Sequence, residues 1–180
     1  RRVLFRSLRV RAALAGAANV HRAPANCGAT TKGLAELDGW LGPGRWDVIV
    51  FNFGLHDLRH VKPGVQAVAP ADYEKNLREI VRRLRATRAT LVWASTTPVQ
   101  PKNRPGQFPR VPEEVAAYNA MAARIMAGHA IAIADLYAVA HGRLEELQPP
   151  GDVHFNSRGS DLLDRKSTRL NSSHVSESRM

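Results

Sequence analysis

The chain has 180 residues, of which 44% are hydrophobic and 23% charged, with one cysteine and a formal net charge of +10; this composition suits one globular domain and excludes a wholly disordered chain or a disulfide-stapled mini-protein. No apolar run reaches the roughly 20 residues of a membrane-spanning helix, so we expect no membrane span. Residues 1–11 and 165–180 hold most of the positive charge. Because residues 12–164 carry only +2, we expect no nucleic-acid partner, which would need basic residues clustered on a folded face.

The two ends differ from the rest of the chain. The apolar stretch within residues 1–7 is too short for the core of a signal peptide, and residues 165–180 have few apolar residues and no helical or strand period. Both ends resemble translated cloning or sequencing-adaptor sequence. We therefore expect a non-native extension at 1–7, one domain over 8–164, and a non-native, disordered tail at 165–180. Since we expect the natural start to be missing, cytoplasmic and exported locations both stay open.

Helix and strand signals alternate along the domain. In its first half we predict a helix over 8–15, a strand at 19–22, a helix over 31–41, a strand at 46–53 and a helix over 72–85 capped by Asp72. In its second half we predict a strand at 90–95, a Pro-rich loop at 98–112, a helix over 112–127, a strand at 130–134, and helices over 136–147 and 157–163.

The strand at 46–53 indicates the fold class. It is a continuous apolar run rich in β-branched residues, which is typical of a strand buried on both faces of a parallel sheet. The alternating order of strands and helices predicts an α/β protein with helices on both faces of that sheet. In such sheets ligands bind beyond the carboxyl ends of the strands, so the segments after the strands are the place to look for chemistry.

Three such segments carry groups suited to acyl chemistry. They are Pro24-Ala25-Asn26-Cys27-Gly28-Ala29-Thr30-Thr31, Gly54-Leu55-His56-Asp57 and Gly151-Asp152-Val153-His154-Phe155-Asn156. A loop glycine allows backbone N–H groups to approach an oxyanion, and a side-chain donor adds a second contact. A histidine beside an aspartate can serve as a general base. Their order along the chain favours one combined site.

Over about residues 12–164 this set resembles the SGNH (GDSL-type) hydrolases, which are esterases and lipases on a flavodoxin-like, three-layer α/β/α fold. The resemblance implies a nucleophilic serine in a Gly-Asp-Ser motif after the first strand, oxyanion donors in the second and third motifs, and a late acid–histidine pair. It implies no cofactor and no metal. The implied substrate is a small-molecule, carbohydrate or lipid ester, with specificity in loops such as 97–112.

Matched residue by residue, the resemblance assigns the site as follows. Gly28 takes the glycine of the second motif, and Gly54 and His56 belong to the third motif, where His56 stands in place of the usual asparagine. A neutral imidazole can still donate one N–H to an oxyanion. His154 takes the catalytic histidine, and Asp152 is the nearest acid, two residues before it rather than three. Asn26 and Asp57 are expected to be structural residues near the site.

The nucleophile motif is missing. The sequence contains no Gly-Asp-Ser, and Ser7, the serine nearest the expected place, follows Phe5-Arg6. We therefore expect the nucleophile serine to be absent, and the first strand to be absent or replaced by Val3-Leu4-Phe5 in the slot between the strands at 19–22 and 46–53. The hypothesis is that the intact parent is an active serine esterase and this chain an inactive, destabilised fragment.

Two alternatives stay open at this stage. One is a metal-dependent hydrolase that uses the cluster of His56, Asp57 and His60 together with the pair Asp152 and His154, because mixed nitrogen and oxygen ligands suit several metals. The other is a non-catalytic α/β binding module.

Overall fold

A computed structural model of the protein describes residues 2–4, 8–100 and 109–177. The strands found in this part of the chain are β1 Arg2–Leu4, β2 Asn19–His21, β3 Val48–Phe51, β4 His60–Lys62, β5 Val65–Gln66, β6 Thr90–Ala94 and β7 Ala132–Ala134. The helices are α1 Leu8–Ala13, α2 Thr30–Leu41, α3 Pro70–Ala86, α4 Pro112–Ala127, α5 Leu136–Ala140, α6 Leu144–Leu147 and α7 Ser157–Glu177.

A parallel sheet is the centre of the fold and runs in the order β2-β1-β3-β6-β7. The strand β3 pairs with β6 over all four of its residues, whereas its pairs with the described residues of β1 are at Val48 and Ile49. β4 and β5 form a separate antiparallel hairpin. The sheet and the helices on both of its faces confirm the predicted three-layer α/β/α fold.

Two hydrophobic cores lie on the two faces of the sheet. Ile49 and Phe51 of β3 belong to the larger core, under α2, α3 and α4, whereas Val48 and Val50 belong to the smaller one, under α1. The alternation of side chains along a strand produces this division, and both faces are apolar because both are covered. Burial on both faces of the sheet thus explains the continuous apolar run that the sequence has at 46–53.

The predicted first-strand replacement is present. Val3 pairs with Val20 and Val48, and Leu4 pairs with His21 and Ile49, so a three-residue strand fills the slot between β2 and β3. Phe5, the third residue of the predicted replacement, lies outside the described residues.

Two helix predictions need correction. The N-cap of α3 is Ala69 rather than Asp72, because Pro70 fits the first turn, where its missing N–H costs nothing, and Asp72 lies within that turn. The single helix predicted over 136–147 is two short helices, α5 and α6. The segment between them contains Gly142, whose φ of 76° is left-handed and ends a helical course.

Two further elements were not predicted. The β4–β5 hairpin turns at Gly64, which has a φ of 71°. The helix α7 continues to Glu177, so residues 165–177 are helical where the sequence predicted a disordered tail over 165–180. A helix that is already formed extends at little cost, and Arg165 and Lys166 are good helix formers. None of the helices in the described part of the chain combines the length and the hydropathy that a membrane crossing requires.

Candidate active site

The loop after β3 is joined to the start of α2 by a buried polar network. The carboxylate oxygen Oδ1 of Asp57 accepts the backbone N–H of Thr30 at 2.8 Å and the Thr30 hydroxyl at 2.5 Å. Asn76 of α3 donates to the same hydroxyl oxygen at 3.2 Å. Asp57 and Thr30 are fully buried. The network therefore fixes the loop of Gly54 and His56 against the segment that follows Gly28.

Asp57 has an unusual electrostatic setting. Burial raises the pKa of its carboxyl above the ordinary value, and the hydrogen bonds from Thr30 oppose that rise. Within the described residues its second oxygen, Oδ2, is buried and has no hydrogen-bond partner. A buried carboxyl with one hydrogen-bonded oxygen is suited to holding two loops together.

Gly54 is held by the loop after β6. Its φ is 142°, and a Cβ at this position would lie 2.5 Å from Oγ1 of Thr96. That hydroxyl donates to the Phe53 carbonyl at 3.2 Å and accepts from the Asn52 amide at 3.1 Å. A residue with a side chain would therefore collide with the loop and adopt a strained backbone, so the site requires glycine here.

Gly28 also needs glycine, but its N–H is already used within its own loop. Its φ is 64°, and its backbone N–H donates to Oδ1 of Asn26 at 3.1 Å. The side chain of Asn26 thus contributes to the shape of this loop. A substrate oxyanion would have to share this N–H with Asn26 or displace the amide oxygen.

His56 lies half-buried in a compact turn. The N–H of Leu58 donates to the Gly54 carbonyl at 2.9 Å and closes the turn around it. Arg110 donates from Nε to the Leu55 carbonyl at 2.8 Å, so the backbone beside His56 is fixed from the α4 side as well.

His60 has its side-chain partner in α4. Its Nε2 lies 2.9 Å from Glu114, which also accepts from Gln66 at 2.7 Å. Among the described residues no three His, Cys, Asp or Glu side chains are grouped to hold a metal ion. The alternative metal site therefore gains no support from the positions of His60 and Asp57, whose side chains bind other partners.

His154 and Asp152 form the expected pair. Nδ1 of His154 lies 2.7 Å from Oδ1 of Asp152, and that oxygen also accepts the His154 backbone N–H at 3.1 Å. These two hydrogen bonds lower the pKa of Asp152 below its ordinary value. The side chain of His154 is 81% exposed, whereas that of Asp152 is 18% exposed. A spacing of two residues thus still places the acid on the imidazole.

Two glutamines link the His154 loop to the loop after β6. The side-chain oxygen of Gln100 accepts the Gly151 N–H at 3.1 Å. The amide of Gln148, which is buried, lies 3.3 Å from the Pro98 carbonyl and 3.4 Å from the Val153 carbonyl. Sequence reasoning did not find these glutamines, because their only signal is their place near a strand end or near the histidine.

The contacts form one series across the sheet edge. The loop after β2 touches the loop after β3 through Thr30 and Asp57, and Thr96 and Gln100 continue the series to the His154 loop. Two expectations lie outside the described residues. They are Ser7 and the middle of the specificity loop, 101–108.

The three-layer α/β/α fold thus carries glycine loops after β2 and β3 and an aspartate–histidine pair between α6 and α7. The profile of the GDSL-like Lipase/Acylhydrolase family matches residues 5–162, and the chain belongs to this family. No curated protein sequence matches the chain.

Solved structures share this fold. A lipase/acylhydrolase from Enterococcus faecalis is similar with a TM-score of 0.78 and 18% identity, over 94% of this chain and 93% of its own. An acetylxylan esterase from Geobacillus stearothermophilus is similar with a TM-score of 0.75 and 14% identity, over 97% and 93%. A GDSL-like lipase from Bacteroides thetaiotaomicron is similar with a TM-score of 0.72 and 14% identity, over 98% and 88%.

Proposed function

We propose that the site is that of a serine-type ester hydrolase acting on acyl or acetyl esters. The observation that carries this proposal is the hydrogen-bonded pair of His154 and Asp152, whose loop is linked to the Gly54 loop through the loop after β6. Acetylated carbohydrates and lipid esters are both candidate substrates, in keeping with the acetylxylan esterase and lipases that share the fold.

In the proposed reaction a serine hydroxyl attacks the ester carbonyl while His154 takes its proton. Asp152 orients the imidazole and stabilises its charged form. The N–H of Gly28 and the ring N–H of His56 donate to the developing oxyanion, together with the N–H of the serine. His154 then protonates the leaving alcohol, and water repeats the cycle on the acyl-enzyme. No cofactor takes part.

For this chain itself we propose no turnover, because Phe5-Arg6 precede Ser7 where the family motif has Gly-Asp. The double substitution Phe5→Gly and Arg6→Asp creates Gly-Asp-Ser-Leu at residues 5–8. We expect this variant to hydrolyse p-nitrophenyl acetate and to react with a fluorophosphonate, and we expect the unchanged chain to do neither.

Controls within the double variant test each role. Adding Ser7→Ala or His154→Ala removes the activity, and a chelator leaves it intact. Turnover by the unchanged chain that disappears on Ser7→Ala would contradict the absence of a nucleophile. Chelator-sensitive turnover that persists without Ser7 would favour metal chemistry instead.

His56 has its own prediction in the double variant. Removing one oxyanion donor typically costs about 10²–10³ in kcat. We expect His56→Ala to lower kcat for p-nitrophenyl acetate by about that factor while thermal unfolding changes little. An effect below about threefold would exclude His56 from the oxyanion site.

A further inference from the structure

Gln148 is a buried polar residue beside the His154 loop and takes no part in the reaction proposed above. It lies at the carboxyl end of α6 and is only 2% exposed. Its side-chain amide nitrogen lies 3.3 Å from the Pro98 carbonyl oxygen and 3.4 Å from that of Val153, and donates to both. Since Pro98 belongs to the loop after β6 and Val153 to the His154 loop, one amide group joins the two loops.

The Val153 carbonyl belongs to the same peptide group as the backbone N–H of His154. Gln148 binds this planar group at its carbonyl oxygen, and Oδ1 of Asp152 accepts its N–H at 3.1 Å. The same Oδ1 lies 2.7 Å from Nδ1 of the His154 ring. The orientation of the peptide group and the orientation of the imidazole are therefore linked through one carboxylate oxygen.

The amide oxygen of Gln148 makes its nitrogen the informative part of the side chain. Oε1 is buried, and among the described residues it has no hydrogen-bond partner. A buried acceptor without a partner lowers the free energy of unfolding, and an apolar side chain of similar size avoids that loss. The contacts that this side chain does form are those of its two N–H groups, and both bind loop carbonyls.

Other contacts hold the His154 loop at different points. The N–H of Asn156 donates to the Leu147 carbonyl at 2.9 Å and closes the base of the loop. Gln100 accepts the N–H of Gly151 at 3.1 Å. Neither contact is made by the peptide group that joins Val153 to His154, so these contacts fix the course of the loop without fixing that group.

We propose that Gln148 is a positioning residue of the ester hydrolase site: by binding the Val153 carbonyl it holds the peptide group of His154, and thereby the imidazole, in place against Asp152. The inference rests on the proposed function, which gives the pair of His154 and Asp152 its task of proton transfer. Gln148 is buried and acts through His154 rather than on the substrate.

Gln148→Met tests this role in the full chain without any turnover. Methionine has a similar length and no N–H group, so it fills the space and removes both contacts. We expect hydrogen exchange of the His154 amide, measured by NMR, to become at least about fivefold faster, the factor that corresponds to one hydrogen bond. The melting temperature changes little, because the unpartnered oxygen is removed together with the donors. An unchanged exchange rate at His154, or loss of the folded state, would overturn the proposal.

Gln100→Met is the matched control, because Gln100 joins the same two loops through a different peptide group. Its Oε1 accepts the Gly151 N–H at 3.1 Å, and its Nε2 lies 3.4 Å from the Leu144 carbonyl. We expect this variant to speed exchange of the Gly151 amide and to leave that of His154 unchanged, and we expect Gln148→Met to show the reverse. The same pattern in both variants would show that only the joining of the loops matters, which contradicts a specific role of Gln148.

The carboxyl group of Asp152 provides an independent measurement. The backbone N–H of His154 is the largest cause of its lowered pKa, and the ring of His154 is the second. We expect the pKa of Asp152, measured by NMR of its carboxyl carbon, to rise in Gln148→Met towards the ordinary value of 3.8 and to stay unchanged in Gln100→Met. An Asp152 pKa that is the same in Gln148→Met as in the unchanged chain would argue against the proposal.

The contacts themselves can be measured in the unchanged chain, without any variant. We expect nuclear Overhauser effects between the side-chain amide protons of Gln148 and protons of both Pro98 and Val153. If the effects to Val153 are missing, Gln148 does not reach the peptide group of His154 and the proposal is wrong.

Turnover separates this proposal from the proposed function. In the Phe5→Gly and Arg6→Asp variant, we expect Gln148→Met to lower kcat for p-nitrophenyl acetate by about tenfold and to leave KM unchanged, because a misplaced catalytic group loses rate and Gln148 is buried away from substrate. The expected exchange pattern with no hydrolysis by that variant would support the hold of Gln148 on His154 and contradict ester hydrolysis. Hydrolysis with the same kcat after Gln148→Met would support the proposed function and contradict the positioning role.

Discussion

Two carboxyl groups at one edge of the sheet have opposite surroundings. Asp57 is fully buried, binds two donors of Thr30 and has a raised pKa, whereas Asp152 is half-buried, binds the exposed His154 and has a lowered pKa. The fully buried group joins two loops, and the half-buried one holds an exposed imidazole. Carboxyl groups with contrasting surroundings often divide the tasks of a site in this way.

The largest expected difference between the two is in stability. Asp57→Ala leaves the buried N–H and hydroxyl of Thr30 without their acceptor, and such orphaned donors cost about 1–3 kcal/mol each. We expect the free energy of unfolding, measured with urea, to fall by about 3 kcal/mol. Asp152→Ala, the matched change at a half-buried carboxyl whose partner His154 is exposed to water, causes a much smaller loss. Similar losses in both variants would contradict the contrast between the fully buried and the half-buried carboxyl group.

Gly28 and Gly54, in the loops after β2 and β3, give a second, smaller contrast. In Gly54→Ala the new methyl group meets the Thr96 hydroxyl and the φ of 142° is strained, so we expect a loss of about 2 kcal/mol. In Gly28→Ala the nearest atom is Cδ of the flexible Lys32 side chain at 3.2 Å, so the left-handed backbone alone costs about 1 kcal/mol. Thermal unfolding measures both. A larger loss at Gly28 would indicate that the Thr96 loop yields to the methyl group.

The smallest expected effects concern pH. Because the folded pKa of Asp57 lies above the ordinary value of 3.8, its ionisation disfavours folding as the pH rises from 3.8 through the folded pKa. The stability of Asp57→Asn relative to the unchanged chain should therefore increase over that window. The folded pKa of Asp152 lies below 3.8, so its contribution is present above 3.8 and is lost as the pH falls through the folded pKa.

The opposite pKa shifts of these two carboxyl groups therefore predict opposite changes of relative stability with pH. The stability of Asp152→Asn relative to the unchanged chain should decrease as the pH rises from the folded pKa of Asp152 to 3.8. Urea unfolding of the three proteins over a series of pH values compares the slopes, and slopes of the same sign would show that one of the two pKa shifts is wrong.

Much of the fold could be predicted because its strongest signals are local. The apolar run of β3 and the spacing of Leu77, Ile80, Val81 and Leu84 on α3 define a buried strand and a one-sided helix without reference to other elements. The β4–β5 hairpin could not be predicted in this way. His60 is held there by the Pro109 carbonyl and by Glu114, which are distant in sequence.

The candidate site also combines residues with a local sequence signal and residues whose contacts are distant in sequence. Gly28, Gly54 and the pair of Asp152 and His154 stand in recognisable motifs after strands or before the last helix. The residues that connect them, such as Thr30 and Gln148, become visible only when the loops meet. Their side chains are common in loops, and no spacing in the sequence relates them to the motif residues.

The short strand β1, second from the edge of the sheet, has a consequence for the order in which the strands separate. Within the described residues three ladder pairs join β2 to β1 and two join β1 to β3, whereas β3 and β6 share four. Hydrogen exchange of backbone amides should therefore be faster in β1 and β2 than in β3 and β6, with β1 and β2 separating together as a partial unfolding unit. The segment that carries Gly28 at its end would then become accessible to proteases while the helices over the larger core stay folded.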